Sequence, residues 1–296
     1  MNPREIGFLL LSSALGNPAR KVLTDAQMRT LARRAGMLNV EDPDRELTID
    51  DLQSIGYCAE DARRIVQLLD QQDLLQWYLK KAKAIGCSPI TRVSEAYPHK
   101  LRQRLGQDCP GCLWAKGDKD LLRMPSVGLV GARDLNAANC AFAREVGIQA
   151  AKQGFALVSG NARGADREAQ NACLEHGGYV ISVVADRLFA LPDHDRVLYL
   201  SEGGFDLDFT PQRALHRNKI VHSLADRMFV AQSNLEVGGT WNGTVTNLRG
   251  HYSPVFCFRD GSEAANRLEQ MGATLVDLEE LSDFDKLQGE ISLFIK

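Results

Sequence analysis

Residues 126–133 read SVGLVGAR, and this stretch decides the fold class. Val127 to Val130 form a short apolar run without polar alternation, which is typical of a strand buried on both faces of a parallel sheet. Similar runs follow at 155–158, 179–184, 227–231, 254–258 and 274–276, and helical patterns lie between them at 137–153, 166–176, 214–224, 240–249 and 263–271. This alternation predicts a doubly wound, mostly parallel, Rossmann-like α/β domain over residues 124–296, ending in a closing helix.

Residues 1–86 carry helical signals and no strand pattern. Thr24 and Thr48 each stand three positions before a side chain that can complete a capping box, so helices are expected to begin at both places. Apolar residues at helical spacing form a candidate core face: Leu52, Ile55, Ala62, Ile65, Leu68 and Leu69. We predict a small all-helical domain, joined to the α/β domain by an irregular connector over residues 87–123 that packs on it.

The turn at Gly56 in this helical domain allows a second interpretation. A helix-hairpin-helix motif would offer backbone amides to a DNA phosphate at such a turn. Only one of the two usual glycines of that motif is present, so a plain helical packing module is favoured.

An apolar segment, GFLLLSSAL, lies at residues 7–15. Glu5 in the would-be basic region, and the lack of a small-x-small cleavage site, favour a buried first helix over a signal peptide. The sequence holds no run of eighteen apolar residues, so no transmembrane helix is expected.

Seven cysteines, an odd number set among apolar neighbours, predict reduced thiols and a cytoplasmic location. Cys109 and Cys112 form a CPGC pair, but a redox pair needs a helix N-terminus and an extended segment follows here. A zinc site would need a second ligand pair, and Cys173 with His176 lie at the end of a predicted helix. We interpret Cys109 and Cys112 as incidental loop cysteines and expect no metal and no cofactor.

The charge balance restricts where a nucleic acid can bind. Lysine and arginine total 35 against 38 acidic residues, which gives a formal net charge of −3. Because salt confines electrostatic fields to about 10 Å, a basic site on such a protein must be local.

Ligands of open parallel sheets bind beyond the carboxyl ends of the strands. Loop A, residues 131–133 (GAR), and loop B, residues 159–166 (SGNARGAD), both follow predicted strands and precede helices. Glycines allow close backbone approach, the helix N-terminus favours an anion, and Arg133 and Arg163 can each bind a phosphate. Asp166 is expected to cap its helix or to orient Arg163.

Loop C, residues 237–244 (VGGTWNGT), follows another predicted strand and supplies amides and hydroxyls. Its Trp241 is either a stacking group for a base or part of the core. Residues 216–219 (HRNK) open a helix whose cations either join the pocket or form a solvated face. The loops lack both the G-x-G-x-x-G fingerprint with its ribose-binding acid and a Walker A sequence, so binding of NAD and a P-loop ATPase are not predicted.

An ordered series of motifs runs through most of the chain, and its members are YPHKL at 97–101, WAKG at 114–117, VGAR at 130–133, SGNARGAD at 159–166, GG at 177–178, SE at 201–202, RNK at 217–219 and NRLEQMGA at 266–273. In this order they resemble the DNA-processing protein A family, also called DprA or Smf. The chain is identified as a shortened member, without the C-terminal winged-helix domain that many members carry.

The resemblance implies an extended Rossmann-like domain, single-stranded DNA bound in a basic pocket, a homodimer, loading of a RecA-type recombinase and no catalysis. Two positions depart from the family pattern: Gln170 stands where histidine is usual, and residues 238–241 replace a serine-rich segment. The DNA- or phosphate-binding candidates are Gly131, Arg133, Ser159, Gly160, Arg163, Gly164, Asp166, Arg217, Asn218, Lys219, Gly238, Gly239 and Thr240.

A nucleotide-binding alternative remains open. Loop C also resembles the PGGxGT signature of enzymes that cleave a base from a nucleoside monophosphate. Those enzymes need a glutamate shortly after the signature, as glycoside chemistry generally needs a carboxylate, whereas Val245-Thr246-Asn247 follows here. A sensor that binds a small nucleotide without cleaving it is the related possibility.

Overall fold

A computed structural model describes residues 1–38 and 46–289. The helices in these ranges are α1 (Pro3–Ser12), α2 (Asp25–Ala35), α3 (Ile49–Ser54), α4 (Ala59–Leu69), α5 (Gln72–Ala84), α6 (His99–Leu105), α7 (Ala137–Lys152), α8 (Ala165–Glu175), α9 (Pro211–Leu224), α10 (Gly238–Gly250) and α11 (Glu263–Gln270). The strands are β1 (Cys87–Thr91), β2 (Cys112–Lys116), β3 (Ser126–Val130), β4 (Ala156–Ser159), β5 (Tyr179–Val184), β6 (Val197–Glu202), β7 (Arg227–Val230), β8 (Val255–Phe258) and β9 (Thr274–Val276).

All nine of these strands form one sheet, in the order β1-β2-β6-β5-β4-β3-β7-β8-β9. The seven strands from β6 to β9 are parallel, and β1 and β2 extend the β6 edge in antiparallel fashion. The chain winds outward from β3 to β6 and then returns to place β7 on the other side of β3. This reversal creates a crevice at the carboxyl ends of β3 and β7, where ligands bind in doubly wound folds.

The predicted fold class, a mostly parallel Rossmann-like sheet preceded by helices, is confirmed. Every strand expected from an apolar run is present to within one residue at each end. Three strands were missed: β1 and β2 within the expected connector, and β6. Pro89 lies in β1, and such a residue is tolerated there because β1 is the outermost strand of the sheet.

The N-terminal helices form as their capping signals predict. Thr24 and Thr48 each accept a hydrogen bond from the third helical amide, and the side chain at that position bonds back. The predicted core face is buried or half-buried within a cluster joined by Leu11, Leu23 and Leu31. The first helix is buried at Leu9, Leu10 and Leu11, as expected for a structural helix.

A buried arginine ties this helical region together. The Arg20 guanidinium donates to the carbonyls of Leu10 and Ser13 at 2.5 Å and to the carbonyl of Leu68 at 3.3 Å. These carbonyls lie at or just beyond the C-terminal turns of α1 and α4, where helices leave acceptors unpaired. Arg20 therefore links two helix ends with charge-assisted hydrogen bonds.

Helix α5 joins the helical region to the sheet. The Tyr78 ring lies 5.2 Å from that of Trp114 in β2 and 4.6 Å from that of Phe205, which follows β6. The Tyr78 hydroxyl donates to Asp206 Oδ1 at 2.6 Å. The aromatic cluster thus holds α5 against the segment 203–210 that leads into α9.

Two expectations for the rest of the chain need correction. Residues 277–289 contain two 3₁₀ turns instead of a closing helix, because Asp283 between the turns has an extended backbone that interrupts any helix. Residues 290–296 lie outside the described ranges. Cys112 is not a loop residue, since it begins β2. The seven cysteines are all free, and the described ranges hold no cluster of three metal-ligating side chains.

No helix within residues 1–38 and 46–289 is long and apolar enough to cross a membrane.

Candidate nucleic-acid interface

Loops A, B and C meet at the crevice between β3 and β7. They line a cleft of about 760 Å³ whose other wall is the start of α9. This volume lies within the range typical of small-ligand sites. The cleft lining includes Arg133, Asp166, Arg217, Asn218 and Thr240, together with Gly131, Gly238 and Gly239.

Loops A and B pack directly on each other. The Ala165 amide donates to the Ala132 carbonyl at 3.2 Å. Gly164 has a φ of +88°, and a Cβ placed there would lie 2.4 Å from the Arg133 carbonyl oxygen and 2.5 Å from that of Ala132. Only glycine fits both the left-handed backbone and this close approach.

Asp166 organises loop B from beneath. Its Oδ2 accepts the amides of Gly160 at 2.9 Å and Ala162 at 3.3 Å, and lies 3.9 Å from Arg217 Nη1. Burial raises the pKa of Asp166, while Arg217 and the two amides oppose that shift. The expectation that Asp166 orients Arg163 is wrong, because Arg163 instead pairs with Asp134 at 2.6 Å.

Arg217 enters the cleft from α9 with only 11% of its side chain exposed. Its Nη1 donates to the Val183 carbonyl at 3.2 Å, and its buried Nε has no partner in the described ranges. Burial lowers the pKa of Arg217, and the nearby positive charge of Arg133 acts in the same direction, whereas Asp166 opposes it. A cation with an unpaired buried donor is suited to an anionic ligand.

Loop C forms the beginning of α10, which starts two residues earlier than predicted. Its Thr240 hydroxyl donates to the Gly131 carbonyl at 2.9 Å, and Asn218 Nδ2 donates to the Gly239 carbonyl at 3.1 Å. No side chain caps the N-terminus of α10 or of α8. At α10 this leaves free amides and partial positive charge directed towards the cleft, whereas the first amide of α8 already donates to the Ala132 carbonyl.

Arg133 is exposed and makes no hydrogen bond or ion pair with any residue that the structure describes. Arg163 is also exposed, but its charge is paired with Asp134. Among the predicted arginines, Arg133 is therefore the cation that is free to meet a ligand at the cleft mouth.

Comparisons with known proteins identify the family of this chain. The model of the family described as DNA recombination-mediator protein A matches residues 88–285, more than half of the chain. The chain belongs to this family. It is similar to DNA processing protein DprA of Streptococcus pneumoniae, with 28% identity over 255 residues, which are 80% of this chain and 86% of that protein.

Two solved structures share the fold of this family member. The X-ray structure of Streptococcus pneumoniae DprA has a TM-score of 0.72 at 24% identity and covers 98% of this chain and 99% of its own. A structure of Helicobacter pylori DNA processing protein A, described for its single-stranded DNA binding mode, has a TM-score of 0.55 at 22% identity. The match covers 66% of this chain and 94% of the Helicobacter pylori chain. At these identities the likenesses establish the fold.

Five of the predicted site residues do not line the cleft: Ser159, Gly160, Arg163, Gly164 and Lys219. Ser159 is fully buried, and its Oγ accepts from Gln170 Nε2 at 2.5 Å. Gln170, which stands where the family usually has histidine, thus bonds to the last residue of β4. Lys219 is half-buried on α9, near the half-buried Glu202. Burial raises the pKa of Glu202, and neighbouring cations that include Lys219 oppose that shift.

The cleft also has lining residues that no sequence motif predicts. Phe209 and Leu215 are exposed apolar side chains whose positions depend on how segment 203–210 and α9 fold back over the loops. Asp134, directly after loop A, adds a carboxylate, and Val237 of loop C adds a third exposed apolar side chain. Trp241, in contrast, is 6% exposed and packs in the core, which resolves the two interpretations of that residue.

A buried histidine supports α9 behind the cleft. His222 Nδ1 lies 3.1 Å from Asn247 Nδ2 of α10, and Asn247 is bonded in turn to Ser253. Burial, reinforced by Arg217, lowers the pKa of His222 to about 3. His222 is therefore neutral in the folded protein, with Nδ1 accepting from the asparagine amide.

This burial predicts acid sensitivity. An unfolded chain protonates His222 near pH 6.5 whereas the native state does not, so stability is complete above pH 6.5 and falls as the pH drops towards 3. We expect His222 to account for a loss of about 2 kcal/mol between pH 6.5 and pH 5. Urea unfolding at both pH values should show this loss in the wild type and a smaller one in His222→Gln. Equal losses in the two proteins would contradict the assignment.

Proposed function

We propose that the chain binds single-stranded DNA through its phosphate backbone in the cleft between loops A, B and C. The observation that carries this proposal is the convergence of a free cation, Arg133, with a buried cation that keeps an unpaired donor, Arg217. The uncapped N-terminus of α10 adds amides suited to the same anion. Membership of the DNA recombination-mediator protein A family supports DNA as the source of the phosphates.

The carboxylates that line the cleft do not favour base cleavage. Within the described ranges they are Asp134 and Asp166. The first is exposed and paired with Arg163, and the second is buried and holds two loop amides. Neither is free to assist at a glycosidic bond, so we propose a binding protein and not an enzyme.

The resemblance to the DprA family extends the proposal to a homodimer that delivers the bound strand to a RecA-type recombinase. This step requires that the strand stay accessible while its phosphates are held, and the open cleft allows that. Formation of recombinase filaments on the strand, with and without the protein, tests the delivery step separately from binding.

The binding proposal is tested by fluorescence anisotropy with a single strand, a duplex and a nucleoside monophosphate. We expect the single strand to bind tightest, with affinity that falls as salt rises because bound phosphates release counterions. Tighter binding of the monophosphate, or its cleavage, would favour the nucleotide alternative and contradict the proposal.

Arg133→Ala is expected to weaken single-strand binding by about 1–3 kcal/mol, as loss of a charged hydrogen bond does, and to reduce the salt slope by about 1. Arg163→Ala should cost less than about 1 kcal/mol, because its exposed charge is already paired. Lys152→Ala is the matched control, since Lys152 ends α7 at the opposite edge of the sheet. Anisotropy that shows no change for Arg133→Ala would remove the cleft as the binding site.

A further inference from the structure

Helix α5 exposes a tryptophan that the cleft does not use. Of the three tryptophans in the chain, Trp114 and Trp241 are buried in the core, whereas Trp77 is 52% exposed. The buried residues of α5, which include Leu75 and Tyr78, face the protein. The indole of Trp77 therefore stands on a surface that nothing in the described ranges covers.

Two lysines lie on the same helix face as this indole. Lys80 and Lys81, three and four positions after Trp77, share its helix face, and Lys81 Nζ lies 4.5 Å from the centre of its ring. Lys80, Lys81 and Lys83 are exposed and have no ion-pair partner within residues 1–38 and 46–289. Asp73 is the acidic residue on the same face. Unpaired positive charge of this density is notable on a protein whose net charge is −3.

We propose that this surface, the Trp77 face (Trp77, Lys80 and Lys81), is a second contact for single-stranded DNA, in which the indole stacks on a base and the lysines meet the flanking phosphates. An aromatic platform flanked by cations is the arrangement by which proteins hold single strands without reading sequence. The inference rests on the proposed function of the cleft and extends the path of the same strand.

The connection between the two contacts runs through segment 203–210. Tyr78, the neighbour of Trp77, bonds to Asp206. Phe209, three residues further, lines the cleft. Three residues span at most about 11 Å, so Tyr78, midway along α5, lies close to the cleft wall. We expect a strand that leaves the cleft beside Phe209 to pass towards α5.

The composition of α5 favours a nucleic acid over a membrane. A helix that lies on a bilayer presents a broad apolar face outward. Here the leucines of α5 are buried or half-buried against the protein, and the indole of Trp77 is the large apolar group that is exposed. One ring matches the area of one base.

The experiment uses the full chain and fluorescein-labelled oligothymidylates of about 3 and about 30 nucleotides, the shorter of which is too short to occupy the cleft and the Trp77 face together. Trp77→Ala and Lys81→Glu are compared with Lys152→Glu, which makes the same charge change at a distant helix end. We expect both α5 variants to bind the long strand at least about fivefold more weakly and the short strand unchanged. Lys152→Glu should behave as the wild type. Iodide quenching of tryptophan fluorescence should fall when the long strand binds.

Four outcomes are distinguishable. Wild-type affinity for the long strand in both α5 variants would overturn the inference while leaving the cleft intact. Binding to phosphatidylserine vesicles that Trp77→Ala abolishes, with unchanged DNA affinity, would overturn it in favour of a lipid surface. Failure of the wild type to bind either strand would overturn the proposed function and the inference with it. If Trp77→Ala does not fold, weakened long-strand binding by Lys81→Glu supports the inference and unchanged binding overturns it.

Discussion

Gly164→Ala is expected to destabilise the protein by about 2–5 kcal/mol and to abolish tight binding of single-stranded DNA. The added Cβ would meet the carbonyl oxygens of Ala132 and Arg133 at 2.5 and 2.4 Å, and backbone atoms cannot swing aside. The left-handed φ of +88° adds about 1–2 kcal/mol for any residue with a Cβ, and the overpacking adds about 1–3 kcal/mol. Relief of the overlap separates loop A from loop B and so moves Arg133.

Gly154→Ala is the matched control for this prediction. Gly154 has a φ of +77°, but no atom lies within 4 Å of the position of its Cβ. This variant should therefore lose only the conformational part, about 1–2 kcal/mol, and should bind DNA as the wild type does. Urea unfolding and anisotropy of both variants make the comparison. Equal stability losses for the two substitutions would show that the contact between loops A and B is not tight.

Arg217→Met is expected to cost about 3–5 kcal/mol of stability, because it removes the cation beside buried Asp166 and leaves that carboxylate uncompensated. Single-strand binding should weaken as well, since a cation is lost from the cleft. The exposed pair of Arg163 and Asp134 is the matched control, and Arg163→Ala should cost less than about 1 kcal/mol of stability. Urea unfolding measures both. A small loss for Arg217→Met would mean that the pair is not coupled.

The pH dependence of Arg217→Met tests the same pair. Without Arg217, the pKa of Asp166 rises further above its ordinary value of 3.8. A raised native-state pKa means that the folded protein holds the proton more tightly, so stability falls as the pH rises through that pKa. The variant should therefore lose less stability at pH 5 than at pH 8. Adding Asp166→Asn should recover part of the loss, which a double-mutant cycle measures.

The central sheet could be predicted from the sequence because its strands carry their signal locally. Strands β3, β4, β5, β7 and β8 are each a run of apolar residues, since both faces of the sheet are covered by helices. Strands β1 and β2 extend one edge of the sheet in antiparallel fashion. Strand β2 pairs with β6, which lies far from it in the sequence. The local pattern of hydrophobicity does not indicate a partner strand that is distant in the sequence. The sequence therefore predicts an irregular connector where β1 and β2 lie.

The sequence predicts which loops form the candidate site, but it does not predict the role of each residue within them. Glycine and arginine next to a predicted strand end identify loops A and B in the sequence. Arg133 and Arg163 look equivalent there, yet Arg133 is free whereas Arg163 is paired with Asp134. Ser159 looks available as a hydroxyl, yet it is fully buried beneath Gln170. Ion pairing and burial depend on neighbours from distant segments.

The sequence by itself determined the fold class, the helix starts at Thr24 and Thr48, and the positions of the glycine-rich loops, because strand burial, capping and turn chemistry depend on residues a few positions apart. Only the tertiary structure decided that Arg217 pairs with Asp166 across more than fifty residues and that Trp241 is core while Trp77 is exposed. Electrostatics and burial are properties of the folded surroundings, and those are complete only when α9 and α10 close over the strand ends.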